Sequence, residues 1–405
     1  MVLVRVLNPT QFGYWVFFLG VYTLLDMLRS GLLGGAAVKF YTSDESEENL
    51  IQIEKSVLQL AFKLSFASFL APLVYYLFDW GMESSELEVL ALGIVPLSFI
   101  SSFSVVATWF SQAKQNFKAI FQIRMLSQVS FLLLVLLGWY LEFGLVEIFY
   151  AYLLSNLLST TVVLLMQRVK LNDLVGRSKA WEKKLFSFGR YSMGTILGSN
   201  LLRNSDTYLL MALLNATSVA IYNVPGRIMA LLDIPIQAFS SADYPRLVDW
   251  AKREKWVELQ NAFNKGIGLS IVVVWPAAIL VFTFADFVVW VIAGSQYENS
   301  VLILRIFTVF AMMLPLDRYA GMMLDALGIP QKNMTKMWIM LSSNIIFDIL
   351  VLNFGYGVNA VAMVSIATYA IGVGLGFFYL KGRVQLQIFK SISSAFQLVL
   401  LKVRR

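Results

Sequence analysis

The chain of 405 residues contains no cysteine and no histidine. The first absence excludes disulfides, thiolate metal sites and cysteine nucleophiles. The second excludes imidazole bases, imidazole metal ligands and histidine pH switches. Charge is scarce too: 14% of the residues are charged, against about 25% in an ordinary soluble domain. Hydrophobic residues make up 58% and the mean hydropathy is +0.70, which excludes a soluble enzyme. What the chain does have is a series of apolar runs, each close to the roughly 20 residues a helix needs to cross a bilayer. They predict eleven spans, at 12–38, 56–78, 89–111, 119–141, 145–167, 186–213, 218–241, 266–290, 299–325, 334–353 and 358–380. A β-barrel would instead alternate in segments of about 10 residues. The predicted fold class is an all-α polytopic membrane protein.

The loops between these runs alternate in charge. One set carries Lys39, Lys55, Lys114, Lys118, Arg168, Lys170, Arg177, Lys179, Lys183, Lys184, Arg246, Lys252, Arg253, Lys255, Lys265, Lys332, Lys336, Lys381 and Arg383. The other set, 79–88, 142–144, 214–217, 291–298 and 354–357, has no Lys or Arg and carries Asp79, Glu83, Glu86, Glu88, Glu142 and Glu298. Basic loops stay in the cytoplasm, so the first set and the C-terminus are expected inside. The net charge of +7 therefore needs no nucleic-acid partner. The tail 384–405 is amphipathic and basic and is expected to lie on the inner surface.

A shift of 207 positions pairs Leu3, Leu7, Asn8, Thr10, Leu24, Leu25 and Asp26 with Leu210, Leu214, Asn215, Thr217, Leu231, Leu232 and Asp233. Further on the register slips by a few residues, and Phe143-Gly144 meets Phe354-Gly355. The expected organisation is two pseudo-symmetric parallel six-helix bundles around a central cavity, an architecture of transporters. It divides into an N-terminal bundle 1–167, a basic linker 168–185, a C-terminal bundle 186–383 and the tail 384–405. Met1 pairs with Tyr208, well inside a span, so the first bundle is expected to lack most of its first helix and the complete molecule to have twelve.

The opening VLNPTQFGYW resembles the R-x-L-G-P-x-x-F/Y-G loop of the polysaccharide (oligosaccharide) flippases, with Arg5, Leu7, Pro9, Phe12 and Gly13 in its positions and Asn8 in place of the usual Gly. That family belongs to the multidrug/oligosaccharidyl-lipid/polysaccharide exporter superfamily. The stretch from Phe188 to Leu247 is similar to its seventh and eighth helices, with Asp206, Tyr222, Arg227 and Pro245 matching. DALGIPQKN and NFGYGVNAVAMVSIATYA resemble its late Gly-x-Pro and F-G-x-x-G-A segments. The resemblance implies a flippase for undecaprenyl-diphosphate-linked oligosaccharide units in the bacterial inner membrane, serving surface polysaccharide such as O-antigen or exopolysaccharide. It also implies a polysaccharide polymerase and glycosyltransferases as partners.

An ionisable group at bilayer depth is costly and so marks a candidate site. Asn200, Arg203, Asn204 and Thr207 recur at i, i+3, i+4 and i+7 and form one polar helix face, flanked by Asp206. Arg227 sits in the next span beside Pro225, which is expected to kink or interrupt that helix, with Pro235 as a second break. Guanidinium groups bind phosphate oxygens bidentately at any working pH. Arg203 and Arg227, with Asn200 and Asn204, are therefore the expected ligands of a lipid diphosphate and its sugars; Lys63 and Arg305 come second. A plain ion pair between Arg203 and Asp206 is the structural alternative. With no histidine, carboxylates remain for ion coupling: Asp206 first, then the repeat-related Asp26 and Asp233. No catalytic residue, cofactor or metal is expected, and the absence of a P-loop points to an ion gradient as energy source. The alternative transporter is a multidrug or lipid II exporter of the same superfamily; a membrane glycan polymerase or an inactive truncated copy ranks lower.

Overall fold

The computed structural model describes residues 2–43, 46–77, 85–166, 168–169, 171–174 and 178–384. The tail expected over 384–405 lies outside the described residues apart from Val384, as do Asp79, Glu83, Lys170 and Arg177 of the loop charges. The described chain is helical throughout, with no strand among these residues: α1 (Val2–Val6), α2 (Pro9–Ser43), α3 (Glu47–Ser65), α4 (Leu70–Leu77), α5 (Ser85–Ala113), α6 (Phe117–Tyr140), α7 (Leu145–Leu165), α8 (Lys179–Leu213), α9 (Ala216–Lys252), α10 (Trp256–Thr283), α11 (Ala285–Ala293), α12 (Ser300–Ala311), α13 (Leu314–Ala326), α14 (Pro330–Asn353) and α15 (Val358–Leu380).

Among the described residues, nine helical segments are long and apolar enough to cross a membrane, and the bent pair α12–α13 makes a tenth. The eleventh expected span, 186–213, is helical within α8 but does not reach the same apolarity. Its polar face over Asn200–Thr207 is the reason. Two expectations need correction. Pro225 and Pro235 do not interrupt their helix: α9 runs unbroken for 37 residues through Pro225, Pro235 and Pro245. Such prolines are tolerated where neighbouring groups satisfy the freed carbonyls. The breaks fall elsewhere. α12 and α13 meet at a 42° bend around Met312–Met313, just before Pro315. In the first half, a 3-10 turn at Phe66–Phe69 separates α3 from α4.

The chain forms two compact units, Val2–Leu201 and the remainder from Leu202 onward. In the first, α5 is the central helix, packed on α2, α3, α6 and α7, while α6 is the least buried span and offers its side chains to lipid. In the second, α9 packs on α10, α12 and α13, and α15 packs on α12, α13 and α14. The C-terminal ends of α9, α13 and α15 and the N-terminal ends of α10 and α14 carry Lys252, Arg253, Lys255, Lys332, Lys381 and Arg383. This is the basic end of the second unit.

The internal repeat is visible in the capping chemistry. Asn8 and Asn215, paired by the 207-residue shift, both sit just before a long helix. The backbone amides of Gln11 and Ser218 donate to their side-chain oxygens at 2.9 and 2.8 Å, each satisfying one orphan N–H of a helix start. Later the repeat distance is 213: α6 and α14 both have 24 residues, and Gly144 and Gly357 stand before α7 and α15.

Within the first unit, α8 crosses α2 with the backbones in contact. A Cβ on Gly189 would lie 1.8 Å from the Leu32 carbonyl oxygen, and one on Gly31 would lie 3.2 Å from Met193 Cα. Small residues give membrane helices this closeness. Gly189→Ala is expected to force the helices apart and cost about 1–3 kcal/mol, read as a lower midpoint of thermal unfolding in detergent. An unchanged midpoint would rule the contact out.

Candidate functional site

The second unit buries two carboxylates beside each other. Asp206 on α8 is 8% exposed and Asp348 on α14 is 0% exposed. The Asn344 amide nitrogen, one turn before Asp348, donates to Asp206 Oδ1 at 2.5 Å and to Asp348 Oδ2 at 2.8 Å. The Tyr222 hydroxyl of α9 donates to the other oxygen of Asp206 and lies 3.2 Å from the Ser365 hydroxyl of α15. Thr368 of α15 donates to Asn344 Oδ1 at 2.8 Å, which turns the amide so that its NH2 faces the two acids. The single Asn344 nitrogen thus bridges the two carboxyls. Asp348 Oδ1 receives no donor among the described residues.

No Lys or Arg forms a salt bridge with either acid among the described residues. Two carboxylates in contact away from water do not both stay ionised without a counter-charge. Carboxylate oxygens placed this way can take a proton or a hard cation.

The structural alternative for Arg203 does not hold, since it forms no pair with Asp206 one turn away. Arg203 and Arg227 are exposed residues on α8 and α9, and neither has a carboxylate within salt-bridge distance among the described residues. Arg203 lies within electrostatic reach of Tyr369, as do Asp206, Asp233 and Asp317. Each arginine shares a helix with a group of the acid pair: Arg203 with Asp206, and Arg227 with Tyr222. Asn200 is buried and Asn204 half-buried, both on α8 and both engaged in contacts.

The other expected residues are committed to neighbours. Lys63 pairs with Glu182 at 2.7 Å and Arg305 with Asp286 at 2.6 Å, both at exposed positions. Asp233 pairs with Arg318 at 3.2 Å and accepts from Gln237 at 2.6 Å. Asp26 pairs with Arg29, which is only 3% exposed. The Arg29 guanidinium also donates to the Ser98 carbonyl at 2.9 Å and to the hydroxyls of Ser102 at 2.6 Å and Ser101 at 3.2 Å. The first unit thus carries its own internal counter-ion.

Asp348 and Asn344 were not among the sequence candidates. Their signal was available: an Asn and an Asp at i and i+4 in the middle of an apolar helix.

The family model for the polysaccharide biosynthesis protein matches residues 2–302. The probable low-salt glycan biosynthesis flippase Agl15 of Haloferax volcanii is 20% identical over 205 residues, which is 51% of this chain and 43% of that protein. The chain thus spans less than half the length of that relative. Among solved structures, the lipid II flippase MurJ in an inward closed conformation superposes with a TM-score of 0.78, at 15% identity, over 99% of this chain and 88% of that one. An inward-facing multidrug resistance MATE family transporter of the MOP superfamily superposes with a TM-score of 0.80, at 17% identity, over 96% and 92%. The fold is the one that these two solved structures share. The chain belongs to the polysaccharide biosynthesis protein family, whose matching model covers most of it.

Arg29→Ala would leave Asp26 without its counter-charge. It is expected to cost about 3–5 kcal/mol, measured as a fall in the unfolding midpoint. The paired replacement of Arg29→Met with Asp26→Leu is expected to recover most of the loss. A midpoint unmoved by Arg29→Ala would contradict the pairing.

Proposed function

We propose that the chain moves oligosaccharide units carried on a polyprenyl diphosphate, undecaprenyl diphosphate in a bacterium, across the cytoplasmic membrane, by alternating access driven by an ion gradient. The basic loops and the C-terminus face the cytoplasm in this reading. Arg203 and Arg227 take the diphosphate, as forked donors that stay charged at any working pH. Asn204 and Tyr208, on the same helix as Arg203, stand near enough in sequence to meet the first sugars. The Asp206–Asp348 pair takes the coupling ion, a proton or a monovalent cation.

The observation that carries the reading is a division of charge within one unit. Among the described residues two arginines have no carboxylate and two carboxylates have no base, and α8 carries one of each. Loading or unloading the acid pair changes the field felt by Arg203, one turn away on α8, and moves the hydrogen bond that ties α9 to it. That gives the ion a lever on the headgroup ligands. A drug exporter would need exposed acids beside the site to attract cationic drugs; here the exposed residues on α8 and α9 nearest the acid pair in sequence, Arg203 and Arg227, are basic.

Two tests follow, both in a bacterium lacking its own flippase. Arg203→Ala and Arg227→Ala are each expected to abolish surface glycan and to leave lipid-linked units inside, at unchanged protein level. Wild-type export in either variant removes that residue from the mechanism. Asp206→Asn and Asp348→Asn are expected to leave headgroup binding intact, measured with purified protein and a polyprenyl diphosphate, while export falls at least about tenfold. Full export in both variants would remove the pair from coupling.

A further inference from the structure

Along α14, Lys336, Met340, Asn344 and Asp348 recur at every fourth position and so form one stripe. All four are buried, at 4%, 2%, 3% and 0% exposure. Asn344 and Asp348 belong to the acid pair. Lys336 Nζ, two turns away, pairs with Asp317 Oδ1 of α13 at 2.6 Å and reaches the Asp317 carbonyl at 3.4 Å. One turn nearer the basic end, Asn333 donates to both oxygens of Asp325 at 3.1 and 3.0 Å. A file of polar groups therefore runs from the basic end of the second unit to the acid pair, about 22 Å along the helix axis. Its one interruption is Met340.

α15 is shaped to this file. Thr368 faces Asn344. A Cβ on Gly372 would lie 2.5 Å from Met340 Sδ and 3.0 Å from Asp317 Oδ1, and one on Gly376 would lie 2.8 Å from Ala320 Cβ and 3.8 Å from Lys336 Cδ. The two glycines thus leave the room that the thioether and the Lys336–Asp317 pair occupy. Stability is a poor reason for such a file, because a buried ion pair gains little over well-packed apolar side chains. The interruption is a methionine, the most adaptable of the apolar side chains, with three rotatable bonds.

We propose that this file is the route by which the coupling cation passes between the acid pair and the basic end, and that Met340 is its gate. The proposal rests on the acid pair being the coupling site. With Met340 packed on Gly372, the file is closed by a dry constriction, and such constrictions gate by excluding water. Swinging the thioether aside joins Asn344 to Asp317 through water. Asp317 then receives the cation at the exit, and the Lys336 ammonium balances that carboxylate when the cation has gone. The route serves a proton or a sodium ion, and the measurement separates the two.

The test uses the purified full chain in liposomes without glycan, with an enclosed pH dye and, separately, radioactive sodium. Met340→Ala is expected to raise the leak of one of the two cations about tenfold over wild type, and adding Asp348→Asn is expected to abolish it. The chain has no cysteine, so Met340→Cys supplies a single thiol. That thiol is expected to react with a small water-soluble thiol reagent applied from the basic end, and to be protected when the coupling cation saturates the acid pair. A folded Met340→Ala without leak, together with an unreactive Met340→Cys, overturns the gate while leaving the coupling site standing. Wild-type glycan transport that ignores both gradients overturns the coupling reading, and the gate falls with it.

Discussion

Two carboxylates held together away from water are the constraint on which the second unit depends. Removing one carboxylate from water costs several kcal/mol even after relaxation, and bringing a second beside it adds repulsion. The surrounding helices meet that cost with directed donors instead of a base. α9 brings Tyr222, α14 brings Asn344, and α15 brings Thr368 to orient the Asn344 amide. Each of those helices also packs on the others or on α12, so the donors are held by the bundle and not by loops. The protein supplies every interaction except the last positive charge. That omission is what the proposed coupling ion would fill.

The two repeats treat the same positions differently. Subtracting the repeat distances places Tyr222, Asn344, Asp348 and Ser365 opposite Trp15, Phe131, Val135 and Tyr152. In the first unit three of those four residues make an aromatic cluster: Trp15 stacks on Phe131 at 5.9 Å between ring centroids, and Tyr152 stands edge-on to both. Where one unit keeps acids that need a partner, the other is filled with rings that need none. The acid of the first unit, Asp26, is instead locked to Arg29. Arg29 and the aromatic cluster are static solutions to problems that the second unit leaves open.

Much of this was legible in the residues. Helical spans follow from apolar runs, and the pairing of Asn8 with Asn215 follows from the 207-residue repeat. Arg203, Arg227 and Asp206 stood out because charge at bilayer depth is expensive. What stayed hidden was partnership across helices. Nothing in the local sequence says that Asp206 meets Asp348, 142 positions away, or that Lys63 is neutralised by Glu182. The prolines do not interrupt α9, because the cost of a missing hydrogen bond depends on neighbours that a linear reading does not supply. Conversely, the bend at Met312–Met313 precedes Pro315, and there the Trp275 ring nitrogen of α10 donates to the Met312 carbonyl at 3.0 Å.

The aromatic filling of the first unit bears on energetics. Among the described residues only the second unit offers an uncompensated pair of acids, so under the proposed mechanism one translocation cycle is charged by one monovalent ion. Each elementary charge moving down a membrane potential delivers about 2.3 kcal/mol per 100 mV, enough for roughly a fiftyfold concentration ratio across the bilayer. In the proposed role, a machine with that ceiling cannot drive a lipid-linked glycan against a steep gradient. It works where the product is removed as fast as it arrives, so the direction of flow is set as much by consumption on the far side as by the ion itself.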